Sequence, residues 1–97
     1  MKRDLMVIYR ILEKVEASDF DSSEEAIPVP VILPGVPPRM VQYHFLLLQD
    51  AGFIETISNQ QGMLAPTRLT WKGHDYLDHA SDVVIDSVEN LFAEVQN

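Results

Sequence analysis

Ala51-Gly52-Phe53-Ile54-Glu55-Thr56-Ile57 and Pro66-Thr67-Arg68-Leu69-Thr70-Trp71 are the two stretches whose reading decides the fold. The first ends an apolar helix at a glycine and turns at once into a β-branched strand, Phe53–Ile57. The second is a shorter returning strand, Pro66–Thr70. Between them runs the polar loop Ser58–Ala65, with Gly62 inside it. Two strands joined in this way predict a β-hairpin directly after a helix. Thr70 is placed to cap a further helix that starts at Trp71 and runs through Tyr76 and Leu77 to about Ala80.

Upstream of the hairpin, residues 38–51 read as a long helix. Met40, Val41, Phe45, Leu47, Leu48 and Ala51 make it apolar on more than one side, which predicts a central, largely buried spine. Pro38 suits its first turn, where a missing N–H has no partner to lose. Before it, Ile27–Leu33 is β-branched but interrupted by Pro28 and Pro30, so it is an edge strand or an extended segment. Pro34, Gly35, Pro37 and Pro38 then break regular structure. Residues 17–26 read as a polar acidic loop. Residues 3–16 predict an amphipathic helix with Leu5, Ile8, Leu12 and Val15 on one face, flanked by Val7 and Ile11. Downstream, residues 81–96 predict a last helix. Ile85, Val88, Phe92 and Val95 form a short apolar seam on it, opposite an acidic stripe of Asp82, Asp86, Glu89 and Glu94.

The order of helix, strand, helix, hairpin and helix looks like that of a winged helix. The predicted fold is therefore α+β: a winged-helix variant with a degenerate helix-turn-helix, a β-hairpin wing and an added C-terminal helix. It is one domain, with residues 1–80 as the winged-helix-like part and 81–97 as the appended helix. The helix-turn-helix is degenerate because five prolines, at 28, 30, 34, 37 and 38, occupy the place of its usual first helix.

Composition narrows the function. Ninety-seven residues leave no room for a separate cofactor domain. Without cysteine there are no disulfides, thiolate zinc sites or cysteine nucleophiles. No apolar run approaches the roughly 20 residues that span a bilayer, and the start of the chain does not read as a signal peptide. A soluble cytoplasmic protein, with no membrane and no cofactor, is expected. Fifteen acidic residues against seven basic ones give a net charge of −8, a poor match for phosphate backbones. The basic residues cluster at Lys2, Arg3, Arg10 and Lys14, interleaved with Asp4, Glu13 and Glu16.

The sequence offers three kinds of candidate site. Arg39, Gln42, Arg68 and Lys72 are the candidates for DNA contact, because a groove-reading helix and wing need such side chains. The run His74-Asp75-Tyr76-Leu77-Asp78-His79 holds two pairs one helical turn apart, His74 with Asp78 and Asp75 with His79. The pairs diverge by about 100° around the helix, so no metal site is expected. Trp71 and Tyr76 offer either an exposed recognition surface or core packing; core packing is expected for Trp71. No nucleophile–base pair or phosphate-cradling loop stands out, so no enzyme activity is expected.

The opening Met1-Lys2-Arg3-Asp4-Leu5, the central Tyr43-His44, Leu47-Leu48 and Ala51-Gly52-Phe53-Ile54, and the block Pro66–Asp78 together resemble a domain-of-unknown-function family of short proteins from bacteria and their phages. The resemblance covers roughly residues 1–80 and implies a phage or prophage setting. The expected function is then a non-enzymatic protein-binding module. One form would be an acidic, anti-CRISPR-like inhibitor that occupies a host nucleic-acid-binding or defence protein through Asp82, Asp86, Glu89 and Glu94. The other reading is a small dimeric DNA-binding transcriptional regulator. The seam of Ile85, Val88, Phe92 and Val95 has two readings: it folds back on its own domain, or it pairs with a second copy as a homodimer seam.

Overall fold

A computed structural model describes residues 2–18 and 27–80. The described elements are α1 (Leu5–Ala17), α2 (Pro38–Asp50), β1 (Ile54–Ser58), β2 (Leu64–Leu69) and α3, which covers residues 71–80. Among the described residues the architecture is α+β, three helices with one antiparallel hairpin, compatible with a winged-helix-like arrangement. The predicted helix at 81–96, with its seam and its acidic stripe, lies outside the described residues.

Helix α1 starts where Asp4 caps it. The Asp4 carboxylate accepts from the backbone N–H groups of Met6 and Val7 at 2.9 and 3.3 Å. Its buried face is Val7, Ile8, Ile11, Leu12 and Val15. Leu5, expected on that face, is 60% exposed. The buried stripe is centred on Ile11 and Val15, and Leu5 falls at its edge, in the first turn.

Helix α2 buries Val41, His44, Phe45 and Leu48, the i, i+3, i+4, i+7 pattern of a single stripe. It is therefore one-sided rather than a spine buried all round, and Leu46 is exposed. Its end is a Schellman motif: Gly52 N–H donates to the Gln49 carbonyl and Phe53 N–H to the Leu48 carbonyl. Gly52 takes the positive φ (78°) that this closure requires.

Strand β1 keeps its expected length but starts one residue later, β2 starts two residues earlier and is longer, and their loop is shorter than the sequence suggested. Leu64 and Ala65 pair with Ser58 and Ile57, which leaves only residues 59–63 as the loop. The Asn59 side chain closes that loop by accepting from the N–H groups of Gln61 and Met63, both at 2.9 Å. A register shift between Glu55 and Thr56 leaves Thr67 as the extra residue of a bulge. The extended segment 27–33 lies beside β2 through a bond from Val29 N–H to the Pro66 carbonyl at 2.8 Å. Pro28 and Pro30 have no N–H to extend this into a ladder.

The core joins all these parts. Ile11, Leu12, Val15, Leu48 and Leu69 are nearly or fully inaccessible, and Val7, Ile8, Val29, Leu33, Val41, Phe45, Ile54 and Leu77 complete the cluster. Each such side chain contributes roughly 1.5–3 kcal/mol by leaving water.

Candidate interaction surface

Helix α2 and the hairpin form the face that a groove-binding protein would present. A polar clamp sets their relation. The Gln42 side-chain amide donates to the Leu64 carbonyl at 2.8 Å and accepts from the Leu64 N–H at 2.9 Å. It thus imitates a neighbouring strand and pins the start of β2 to α2. Further along, Thr56 Oγ1 donates to Gln49 Oε1 at 2.8 Å. Gln42, a candidate base-reading residue, is engaged inside the fold.

Two of the remaining three candidates also have internal partners. Arg68 forms a two-point pair with Glu55 across the strands, Nε to Oε2 at 2.7 Å and Nη2 to Oε1 at 2.9 Å. The arginine hydrogen bond holds the Glu55 carboxyl below its ordinary pKa, against a small opposing effect of desolvation. Lys72 Nζ stands 5.5 Å from the centre of the Phe53 ring, in cation–π range. Arg39 is exposed, beside a shallow depression lined by Pro37, Pro38 and Met40. The structure brings Gln42 to the hairpin and spreads Arg39, Arg68 and Lys72 over separate elements.

Opposite the buried stripe of α2 runs Arg39, Tyr43, Leu46 and Asp50, spaced four, three and four. Leu46 is 46% exposed there, and Tyr43 is half-buried, edge-on to the His44 ring with centroids 5.5 Å apart. The outward line is thus cation, aromatic, aliphatic, anion.

His44 ties this helix to α1. It is fully buried. Its Nδ1–H donates to the Met40 carbonyl at 2.7 Å, and Nε2 accepts from the Asp4 N–H at 2.9 Å. Only the tautomer protonated at Nδ1 satisfies both bonds. Asp4 therefore caps α1 with its side chain and docks α1 on α2 with its backbone.

Helix α3 begins as expected. Thr70 Oγ1 accepts from the Gly73 N–H at 3.0 Å and donates to the Gly52 carbonyl, while Thr70 N–H donates to the Phe53 carbonyl at 3.0 Å. Gly73 is buried against that same carbonyl group, and a Cβ there would overlap the Phe53 oxygen. Tyr76 stacks on Phe53 with centroids 4.7 Å apart and packs against the core. Trp71, expected in the core, is 86% exposed. The inner face of α3 is Gly73, Tyr76 and Leu77, and a residue two positions before Gly73 points the other way.

In the His74–His79 run, His74 Nδ1 lies 3.4 Å from Glu16 Oε2 of α1, and Asp75, Asp78 and His79 are exposed. Among the described residues no group of three or more His, Asp or Glu side chains is gathered where it could hold a metal ion. Among them, too, no helix is long and apolar enough to cross a membrane. Asp82, Asp86, Glu89 and Glu94, and the seam Ile85, Val88, Phe92 and Val95, lie outside the described residues.

These features define a small α+β domain whose helix–hairpin face is closed on itself by polar clamps. The chain belongs to the family described as "Hypothetical protein (DUF2513)", whose model matches residues 2–85. It is 37% identical over 94 residues to an uncharacterized protein of Haemophilus influenzae (strain Rd), spanning 92% of this chain and 76% of that relative. No solved structure matches it.

Proposed function

We propose that the chain is a winged-helix variant with a degenerate helix-turn-helix that binds protein rather than reading DNA. The observation that carries this reading is the use made of its polar side chains. Gln42 is spent on Leu64, Arg68 on Glu55 and Lys72 on Phe53. The helix that would enter a major groove offers Tyr43 and Leu46 between Arg39 and Asp50. Non-specific DNA affinity comes almost wholly from neutralised phosphates, several per binder. A chain of net charge −8 opposes that contact on balance, and its basic cluster at Lys2, Arg3, Arg10 and Lys14 lies at the first helix rather than on this face.

The same charge suits a partner with a basic groove, such as a host protein that normally holds nucleic acid. A non-enzymatic inhibitor of phage or prophage origin, acting in the bacterial cytoplasm, is the form of this reading we favour. Its acidic contact would be Asp82, Asp86, Glu89 and Glu94. Affinity capture from host lysate, with and without nuclease, tests it. A partner retained after nuclease, and released by reversing the charges of Asp82, Asp86 and Glu89, is expected. A haul that vanishes with nuclease would overturn the reading and favour a DNA-binding regulator.

A further inference from the structure

The outward stripe of α2 has a self-complementary order. Arg39, Tyr43, Leu46 and Asp50 fall at i, i+4, i+7 and i+11, so all four lie on one narrow face. That face is diametrically opposite Val41, His44, Phe45 and Leu48, which are buried in the chain's own core. The hairpin stands beside the stripe, on the side of Gln42 and Gln49, and does not cover it: Leu46 keeps 46% of its surface exposed.

We propose that this stripe is a two-fold interface between two copies of the chain, with their α2 helices antiparallel. The argument is one of symmetry and charge. A two-fold axis across an antiparallel helix pair sets each residue against the one equally far from the midpoint on the other helix. With the midpoint between His44 and Phe45, Arg39 meets the second copy's Asp50, and Tyr43 meets the second copy's Leu46. Both relations occur twice. The apolar pair is then at the centre and the opposite charges are at the ends, about 16 Å apart along the helix. A parallel arrangement would instead set Arg39 on Arg39 and Asp50 on Asp50. The end charges select orientation more than they add affinity, because exposed pairs are worth little. The affinity comes from Tyr43 and Leu46. One helix pair is a small interface, so the dimer is a weak one, with a dissociation constant on the order of 10–100 µM.

This inference stands independently of which other macromolecule the protein binds. It is tested by sedimentation equilibrium on the full chain across that concentration range. Leu46→Asp is expected to weaken association at least tenfold. Arg39→Asp and Asp50→Arg should each do the same, since each sets like charges together at both ends, and the double variant should recover the wild-type constant. All these positions face solvent, and thermal unfolding of each variant checks that the fold is kept. Recovery in the double exchange is the result a merely structural role would not give. A wild type that stays monomeric to about ten times the upper constant would overturn the proposal. So would a dimer that ignores Arg39→Asp and Leu46→Asp but dissociates with Phe92→Asp, which would assign the interface to residues 81–97.

Discussion

Replacing Gly73 by alanine separates two opposed physical effects, and their sum has a definite sign. Helix propensity alone predicts that alanine in α3 stabilises by about 1 kcal/mol relative to glycine. The contact predicts the reverse. A Cβ at residue 73 would overlap the Phe53 carbonyl oxygen and lie 3.0 Å from the carbonyl carbon and 3.3 Å from the Phe53 Cα. The obstruction is backbone, so no side-chain rotation relieves it. That carbonyl cannot swing away freely, because it accepts from the Thr70 N–H at 3.0 Å, and Thr70 Oγ1 is bonded to the neighbouring Gly52 carbonyl. Helix α3 must therefore move outward. This loosens those two bonds, at about 1 kcal/mol each, and the Phe53–Tyr76 stack with them. Overpacking of this kind costs typically 1–3 kcal/mol. The two loosened bonds alone place the cost in the upper part of that range, so with the propensity gain subtracted a net loss of about 1–2 kcal/mol is expected. In a domain of this size that is a fall in Tm of roughly 4–16 °C. Calorimetry or denaturant unfolding measures it, with Asp75→Ala at an exposed position of the same helix as the control, expected within about 0.5 kcal/mol of wild type. An unchanged or raised Tm for Gly73→Ala would refute the close approach of α3 to the end of α2.

Three further outcomes follow from the clamps. Gln42→Ala strands both polar groups of the part-buried Leu64 backbone and should cost about 2 kcal/mol, with faster hydrogen exchange at the Leu64 amide; unchanged exchange there would contradict the clamp. His44→Phe keeps an aromatic ring, a somewhat larger one, but leaves the Asp4 N–H and the Met40 carbonyl without partners, so a loss of about 2–4 kcal/mol in urea unfolding is expected, well beyond that of an exposed histidine such as His79→Phe. Glu55→Gln should cost less than about 1 kcal/mol at pH 7, because both members of its pair are more than half exposed. Since the folded Glu55 pKa is lowered, its contribution is complete above the ordinary carboxylate range and disappears as pH falls through the folded value. The difference between wild type and Glu55→Gln should therefore shrink on acidification; a difference that grows would contradict the assignment.

The parts of the fold written in local signals were legible in the sequence. Gly52 followed by a β-branched run marks a helix end and a strand start, and Thr70 before Trp71 marks a helix cap, because caps and turns are set within a few residues. The prolines at 28 and 30 correctly restrict residues 27–33 to an extended segment. The Asp4 cap was also within reach, as an aspartate just before an apolar periodic run. What the sequence could not give are the contacts between distant elements. Nothing near Gln42 says that its amide will hold Leu64, and nothing near His44 says that it will meet the Asp4 backbone. A lone glutamine or histidine on a helix looks the same whether it reads a ligand or braces its own fold. Trp71 departs from its expected core position for a related reason. Aromatic residues usually pack inward, but Gly73 sets the inner face of α3, and that face leaves Trp71 outside.

On the function proposed above, the helix–hairpin face does not read DNA. Fluorescence anisotropy at physiological salt, with random duplex and with duplex from the gene's own upstream region, measures this. No saturable binding to either duplex is expected up to roughly 10 µM protein, and no response to Arg39→Ala. Tight binding to the upstream duplex that weakens with rising salt and collapses with Arg39→Ala would contradict it.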